Sequence, residues 1–289
     1  MKLTSLVLTL KPREAVAAPP HLGRAAHAAL LRAVGAASPA LAAQLHDAPP
    51  GASGPRPFTC STLMGKRAEG RLDPNTSYTL RYTALTSELA EVLQSAFGTE
   101  DGRRRTVNGD PPSEIRNPKS EIELDGHLFD VIGITSEASA HPWAARTTYE
   151  ELSAPWLLAR AEPARHITFQ FTSPTTFHSG GRSVPLPQPD LILGSLLERW
   201  NAFAPVALPE EARRFAAECM AVSRYELQTR SLPFKEGAVK IGMIGQATLA
   251  ATRYDRYWLS VMNLLADYAL FAGVGAGVTM GMGQCRRYM

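Results

Sequence analysis

Cysteine is scarce in this 289-residue chain: Cys60, Cys219 and Cys285 are odd in number, far apart and without CxxC spacing. That excludes a disulfide scaffold or a thiolate zinc site as the organising feature and fits a reducing compartment. No run of 18 apolar residues occurs, so no membrane-spanning helix is expected. The opening MKLTSLVLTLKPRE also lacks the long apolar stretch and small-residue cleavage site of a secretory signal. The expectation is a soluble, cytoplasmic protein. No lysine occurs from Gly273 onward, so the glycine-rich ending is not a P-loop. A GxGxxG fingerprint fails there too, because Val278 stands at its third glycine and the loop ends a helix instead of opening one.

What is present is an ordinary globular balance, 45% hydrophobic and 20% charged. Net charge is +3 and the isoelectric point about 8.8. That permits an anionic partner without demanding one. The length suits one large domain or two smaller ones, either with a real core.

Lys2 to Leu10 reads as a strand, and HLGRAAHAALLRAVGAA as a helix with Leu22, Ala26, Ala29, Leu30, Ala33 and Val34 on one face. Arg24 and Leu31 fall opposite, with His27 at the flank. A Pro/Gly/Ala loop, HDAPPGASGPRP, leads to two strand candidates, PFTCSTLMG and SYTLRYTAL. A helix, SELAEVLQSAF, stops at Gly98, and EIELDGHLFDVIGITS alternates about an Asp-Gly turn. That order is the split βαβ pattern. Residues 141–165 show no strand period and read as a connecting segment with a short helix. The order then repeats: strand HITFQFTS, helix PDLILGSLLERWNAF, strands SRYELQTRSL and AVKIGMIGQATLAA, helix DRYWLSVMNLLADYALFA and a last strand from Thr279 to Tyr288. Asp255 is the expected N-cap of that last helix and Gly273 its C-terminal stop. Trp258 and Tyr257 are expected to begin this core-packed helix. The fold class expected is therefore α+β, two tandem ferredoxin-like (βαββαβ) domains over residues 1–145 and 166–289, joined by 146–165.

The ending GVGAGVTMGMGQCRR packs five glycines into eleven residues, where the usual frequency of about 7% predicts fewer than one. Glycine backbones can offer N–H groups to phosphate oxygens without Cβ interference. Of the adjacent Arg286 and Arg287, strand alternation lets only one face a given side. The alternative is a glycine-rich turn inside the core.

The ending FAGVGAGVTMGMGQCRRY resembles the C-terminal glycine-rich loop of the CRISPR-associated repeat-processing endoribonucleases, in the wider RAMP superfamily. FTSPTTF, PLPQPD, SLLERWNAFAP and IGMIG resemble that family's second domain in order and spacing. HPWAARTTYEEL and SPALAAQLHDAPPGASGPRPFTCSTLMG match its first. One departure is Gly277, where the family's loop often carries lysine. The resemblance implies two ferredoxin-like domains that bind CRISPR repeat RNA and cut it once without metal or cofactor. Other CRISPR-associated proteins and a second copy of the chain are further partners it allows. The glycine loop would either lie against RNA backbone or pack the domains so that a groove forms.

Metal-free cleavage uses the RNA's own 2′-hydroxyl, leaving a 2′,3′-cyclic phosphate and a 5′-hydroxyl, and needs proton carriers and charge stabilisation. Histidine titrates in the right range. His46, after SPALAAQL and ahead of the PFTCS strand, stands where the family places its catalytic histidine. His27, one turn from Arg24, is the second choice; a helix-flank or surface-loop histidine is the alternative for each. Arg56 is the candidate for charge stabilisation, with Lys66 and Arg67 behind it. Some family members carry a tyrosine on the first helix, where this chain has Leu31. The candidate RNA contacts are Arg24, Arg32, the run Arg103, Arg104 and Arg105, Arg182, Lys235, Lys240, Gly273, Gly275, Gly277, Gly281, Gly283 and Arg286. Such basic runs are often only solvated faces. His178, in FHSGGRS, lies in an expected loop that could touch RNA. No RNP1-like aromatic motif is present, which argues against an ordinary RRM. A non-catalytic RNA-binding subunit of a CRISPR effector complex and a small-molecule-binding α+β protein are the rival readings.

Overall fold

The computed structural model describes residues 1–17, 19, 21–46, 54–67, 70–98, 121–158, 162–233 and 239–288. The first half runs β1 (Lys2–Pro12), β2 (Val16–Ala17), α1 (Gly23–Ala37), α2 (Pro39–His46), β3 (Phe58–Cys60), β4 (Arg71–Leu72), β5 (Tyr78–Ala84), α3 (Ser87–Phe97), β6 (Glu121–Leu124), β7 (His127–Thr135), β8 (Ala145–Thr148) and α4 (Tyr149–Leu157). The second half runs β9 (His166–Thr175), β10 (Phe177–Ser179), β11 (Arg182–Val184), α5 (Pro189–Phe203), α6 (Glu211–Cys219), β12 (Met220–Pro233), β13 (Val239–Ala251), α7 (Arg256–Ala272) and β14 (Cys285–Tyr288). The result is a mixed α/β fold with antiparallel sheets.

β1 is the centre of the first sheet, whose order is β3-β5-β1-β7-β6. Its leucines Leu6, Leu8 and Leu10 are buried with Leu30 and Val34 of α1 and Leu89 and Leu93 of α3, so both helices cover one face. α3 starts where Thr86 accepts a hydrogen bond from the Leu89 N–H. It stops at Gly98, whose N–H still reaches the Gln94 carbonyl. The second sheet has the order β12-β13-β9-β14. Phe169 and Phe171 of β9 pack there against Leu196 and Trp200 of α5 and Leu265 and Tyr268 of α7. Asp255 caps α7 by accepting from the Trp258 N–H at 3.0 Å.

Four expectations change. The connecting segment contains a strand: β8 pairs with the start of β1, from Lys2↔Thr148 to Ser5↔Ala145. Four residues are too few for an alternation to be visible, and the pairing comes from a distant partner. FHSGGRS is a hairpin, β10 with β11, and its two glycines, Gly180 and Gly181, take the positive φ of a tight two-residue turn. α6 was not anticipated. The last strand begins at Cys285, because Thr279 lies in a 3₁₀ turn, Val278–Met280.

Candidate RNA cleft and the joint beneath it

α7 ends at Gly273, and the glycine-rich turn that follows is packed from both sides by protein. Gly275 has φ +76°, and a Cβ there would stand 2.4 Å from the Thr176 carbonyl oxygen. Most of the turn's N–H groups are used internally. Gly275 donates to Ser195 Oγ, Ala276 to Thr176, Val274 to Gly283 and Gly283 to Pro174. The 3₁₀ turn then leans on the first half. His27 donates from Nδ1 to the Thr279 carbonyl at 2.9 Å, and His21 from Nε2 to that of Met280 at 2.8 Å. Ser61 makes a parallel bridge with Gly281. At Gly23, a Cβ would fall 2.0 Å from the Met280 carbonyl oxygen. Side chains are cleared from this turn largely so that the backbones of the two halves can touch.

A buried cation fastens the same joint. Arg81 of β5 is 1% exposed. It donates from Nε at 2.9 Å and from Nη2 to Gln284 Oε1, and from Nη1 to the Leu270 carbonyl at 2.6 Å and to Ser5 Oγ. Gln284 passes the link on, its Nε2 donating to the Cys60 carbonyl and its backbone N–H to Ser173 Oγ. Trp143 lies between two guanidiniums, Arg81 at 4.9 Å and Arg286 at 4.8 Å from its ring. Burial pulls the Arg81 pKa down to about 9, against the attraction of the nearby Cys285 and Cys60. The same burial pushes both thiols well up, which removes them as nucleophiles.

Above the joint lies a cleft of about 450 Å³. Its floor is Gly275 to Thr279, and its walls include Arg56, His178, Ser195, Arg199 and Arg213. Arg56 donates from Nη1 to the Leu45 carbonyl at 2.6 Å. That ties it to the last turn of α2, which His46 closes. The His46 side chain lies outside the described residues.

The structure therefore brings Arg56, Gly275 and Gly277 around one cleft, with His178 beside them. Gly273, Gly281 and Gly283 are spent on packing: a Cβ at Gly283 would meet the Val274 carbonyl oxygen at 2.2 Å. Arg24 and Arg182 are exposed elsewhere, and Arg32 donates to the Glu123 carbonyl. Lys240 opens the β13 arm opposite Leu232. Arg286 is engaged with Gln170 and the Pro142 carbonyl, besides stacking on Trp143. Arg103, Arg104, Arg105 and Lys235 lie outside the described residues. The Nδ1–H of His27 is committed to the turn. Among the described residues, no three His, Cys, Asp or Glu side chains gather as a metal cage would need.

Arg199 and Arg213 are cleft residues that the sequence reading passed over. Arg213 sits on α6, whose buried Ala212, Phe215, Ala216 and Cys219 follow the helical period and were the available signal. Arg199 lies within the recognised helix of SLLERW, where a cation on a helical face gave no sign of its surroundings.

Two antiparallel sheets joined through a glycine-rich turn are the arrangement with which the comparisons with known proteins agree. Residues 169–285 match the family described as CRISPR-associated endoribonuclease Cas6. A curated CRISPR-associated endoribonuclease Cas6 from Mycobacterium tuberculosis is 25% identical over 182 residues. That alignment covers 63% of this chain and 56% of the relative, so the chain spans little over half the length of that relative. Among solved structures, a Cas6 product complex superimposes with a TM-score of 0.74 at 25% identity, covering 99% of each chain. Thermus thermophilus Cas6 gives 0.69 at 25% identity, over 99% of this chain and 98% of that one. These matches support the Cas6 family, of the RAMP type, for this chain.

Proposed function

We propose that the protein is a metal-independent endoribonuclease that cuts CRISPR repeat RNA at one site in precursor transcripts to give guide RNAs. In this reading residues 1–145 and 166–289 are tandem ferredoxin-like domains, joined by 146–165, and the molecule works in the cytoplasm. The two sheet orders, β3-β5-β1-β7 and β12-β13-β9-β14, support that description, since each places the four strands of a βαββαβ unit in the same sequence. The observation that carries the functional reading is the tie from Arg56 to Leu45, which holds a guanidinium in the cleft wall against the helix end that bears His46.

The RNA's 2′-hydroxyl attacks the adjacent phosphorus, and the 5′-oxygen of the next nucleotide leaves. His46 moves a proton at one of these oxygens, a contribution typically of about 10²–10⁴-fold. Arg56 offsets the charge that builds on the phosphoryl oxygens. The Gly275–Thr279 backbone forms the surface against which the strand lies. The rival, a non-catalytic RNA-binding subunit, draws support from Leu31, which packs on the core where some relatives carry a tyrosine.

The test is a denaturing gel of end-labelled repeat RNA from the host's own CRISPR array, in EDTA, with native protein and His46→Ala. A parallel substrate carries a single 2′-deoxy nucleotide at the mapped cut. The expected result is one EDTA-resistant cut, lost in the variant and blocked by the deoxy substitution. Binding without any cut by the native protein would establish the rival, and a cut that persists in His46→Ala would remove His46 from the mechanism.

A further inference from the structure

Several cations in this fold pair with carboxylates. Arg13 pairs with Glu121 and Asp130, Arg287 with Asp267, Arg214 with Glu218 and Lys2 with Glu91. The cleft cations, like Arg32, Arg81 and Arg286, are held by neutral acceptors instead. Arg56, Arg199 and Arg213 all line it, and each donates to a single backbone carbonyl, of Leu45, Gly275 and Gly194 respectively. Asp190 and Glu198 line the same cleft, yet among the described residues no carboxylate lies within ion-pair distance of these three guanidiniums. Arg199 is the extreme case. Its Nε is buried without a hydrogen-bond partner, and burial lowers its pKa from the ordinary arginine value. A guanidinium withdrawn from water and left unpaired is unfavourable unless a ligand completes it. Its planar fork matches the oxygens of a phosphate two at a time.

We propose that Arg199 and Arg213 form a phosphate subsite in the cleft wall, holding a backbone phosphate of the bound RNA strand beyond the cut. The inference rests on the endoribonuclease reading and adds two positioning residues to it. Three unpaired guanidiniums along one cleft suit a run of phosphates better than one small anion. Ser195 assists: its oxygen accepts from the Gly275 N–H, and its own O–H remains available as a donor. Because Arg199 also holds the Gly275 carbonyl at 2.8 Å, strand capture and the position of the cleft floor are linked through one side chain.

The experiment is filter binding of short oligo(U) and of repeat RNA across a potassium chloride series. It compares the native protein with Arg199→Gln, Arg213→Gln, the double variant, Arg213→Lys and Arg214→Gln. Arg214 is the control, exposed on the same helix and paired with Glu218. Each glutamine substitution at 199 or 213 is expected to flatten the plot of log affinity against log salt by about 0.7, one single-strand phosphate contact. Arg213→Lys should keep the slope, and Arg214→Gln should leave it alone. If Arg199→Gln melts early, Arg213→Gln carries the comparison. Unchanged slopes in well-folded Arg213→Gln and the double variant would overturn the subsite, even with repeat RNA cut normally. Flattened slopes on oligo(U), with repeat RNA uncut by native protein, would uphold the subsite while removing the endoribonuclease reading.

Discussion

His141 accepts a hydrogen bond at its Nδ1 from the Trp143 N–H at 3.2 Å, which requires that nitrogen to be unprotonated. Burial lowers its pKa, and Arg286 and Arg81 lower it further. His21, desolvated against the glycine-rich turn, is lowered as well. With folded pKa values below the ordinary 6.5, the unfolded chain takes up protons first as pH falls. The unfolded state then holds more protons, so stability is full above 6.5 and is lost as pH drops through the window beneath it. The melting temperature is therefore expected to hold level from mildly alkaline to neutral pH and to decline on acidification. His141→Gln, which can still accept from the Trp143 N–H, should flatten part of that decline in a thermal scan against pH, and His21→Gln a further part. Equal acid slopes for the native protein and the double variant would show that neither ring is the sensor.

At the scale of elements, the contact that matters most is α1 against the glycine-rich turn. Gly23 and Gly281 meet there, Gly281 at φ +86° with its Cβ position 2.8 Å from the Gly23 Cα. Gly23→Ala would press on the Met280 carbonyl oxygen at 2.0 Å and on His21 Nε2 at 2.7 Å, a ring already tied to that same carbonyl. It is expected to cost about 1–3 kcal/mol, the range for overpacking a tight site, measured as a lower urea midpoint. If the proposed function holds, repeat cleavage should fall with it, because the turn that forms the cleft floor shifts. Much of this layer was legible beforehand. The apolar stripe of α1, the stop of α3 at Gly98, the Asp125–Gly126 hairpin turn and the Asp255 cap are local signals. What escaped was non-local. β8 exists because the start of β1 pairs with it, and the turn's glycines serve a helix about 250 residues away. Arg56 was readable as a loop cation beside His46. Arg199 and Arg213 became cleft residues only when two helices were set against the turn. His27 was weighed as a proton carrier; its Nδ1–H is tied to Thr279.

Across the whole molecule, Arg81 and Gln284 tie β5 and β3 of one sheet to the turn before β14 of the other. The two cores are separate clusters, although Leu3, Leu85 and Tyr149 of the first half join the second, so this strap is one route by which unfolding of one reaches the other. Arg81→Ala strands the Gln284 and Leu270 acceptors and opens a void. The expected loss is roughly 3 kcal/mol. Urea transitions followed by tryptophan emission and by far-ultraviolet circular dichroism should coincide in the native protein and separate in the variant. Coincident transitions in both would mean that packing alone couples the halves. The cleft stands on backbone pressed against backbone, at Gly23, Met280 and Gly281, with only the His21 ring wedged beside them. For an RNA strand lying there, the protein surface is an anvil. Under the proposed function, the bending would fall on the polynucleotide and not on the protein.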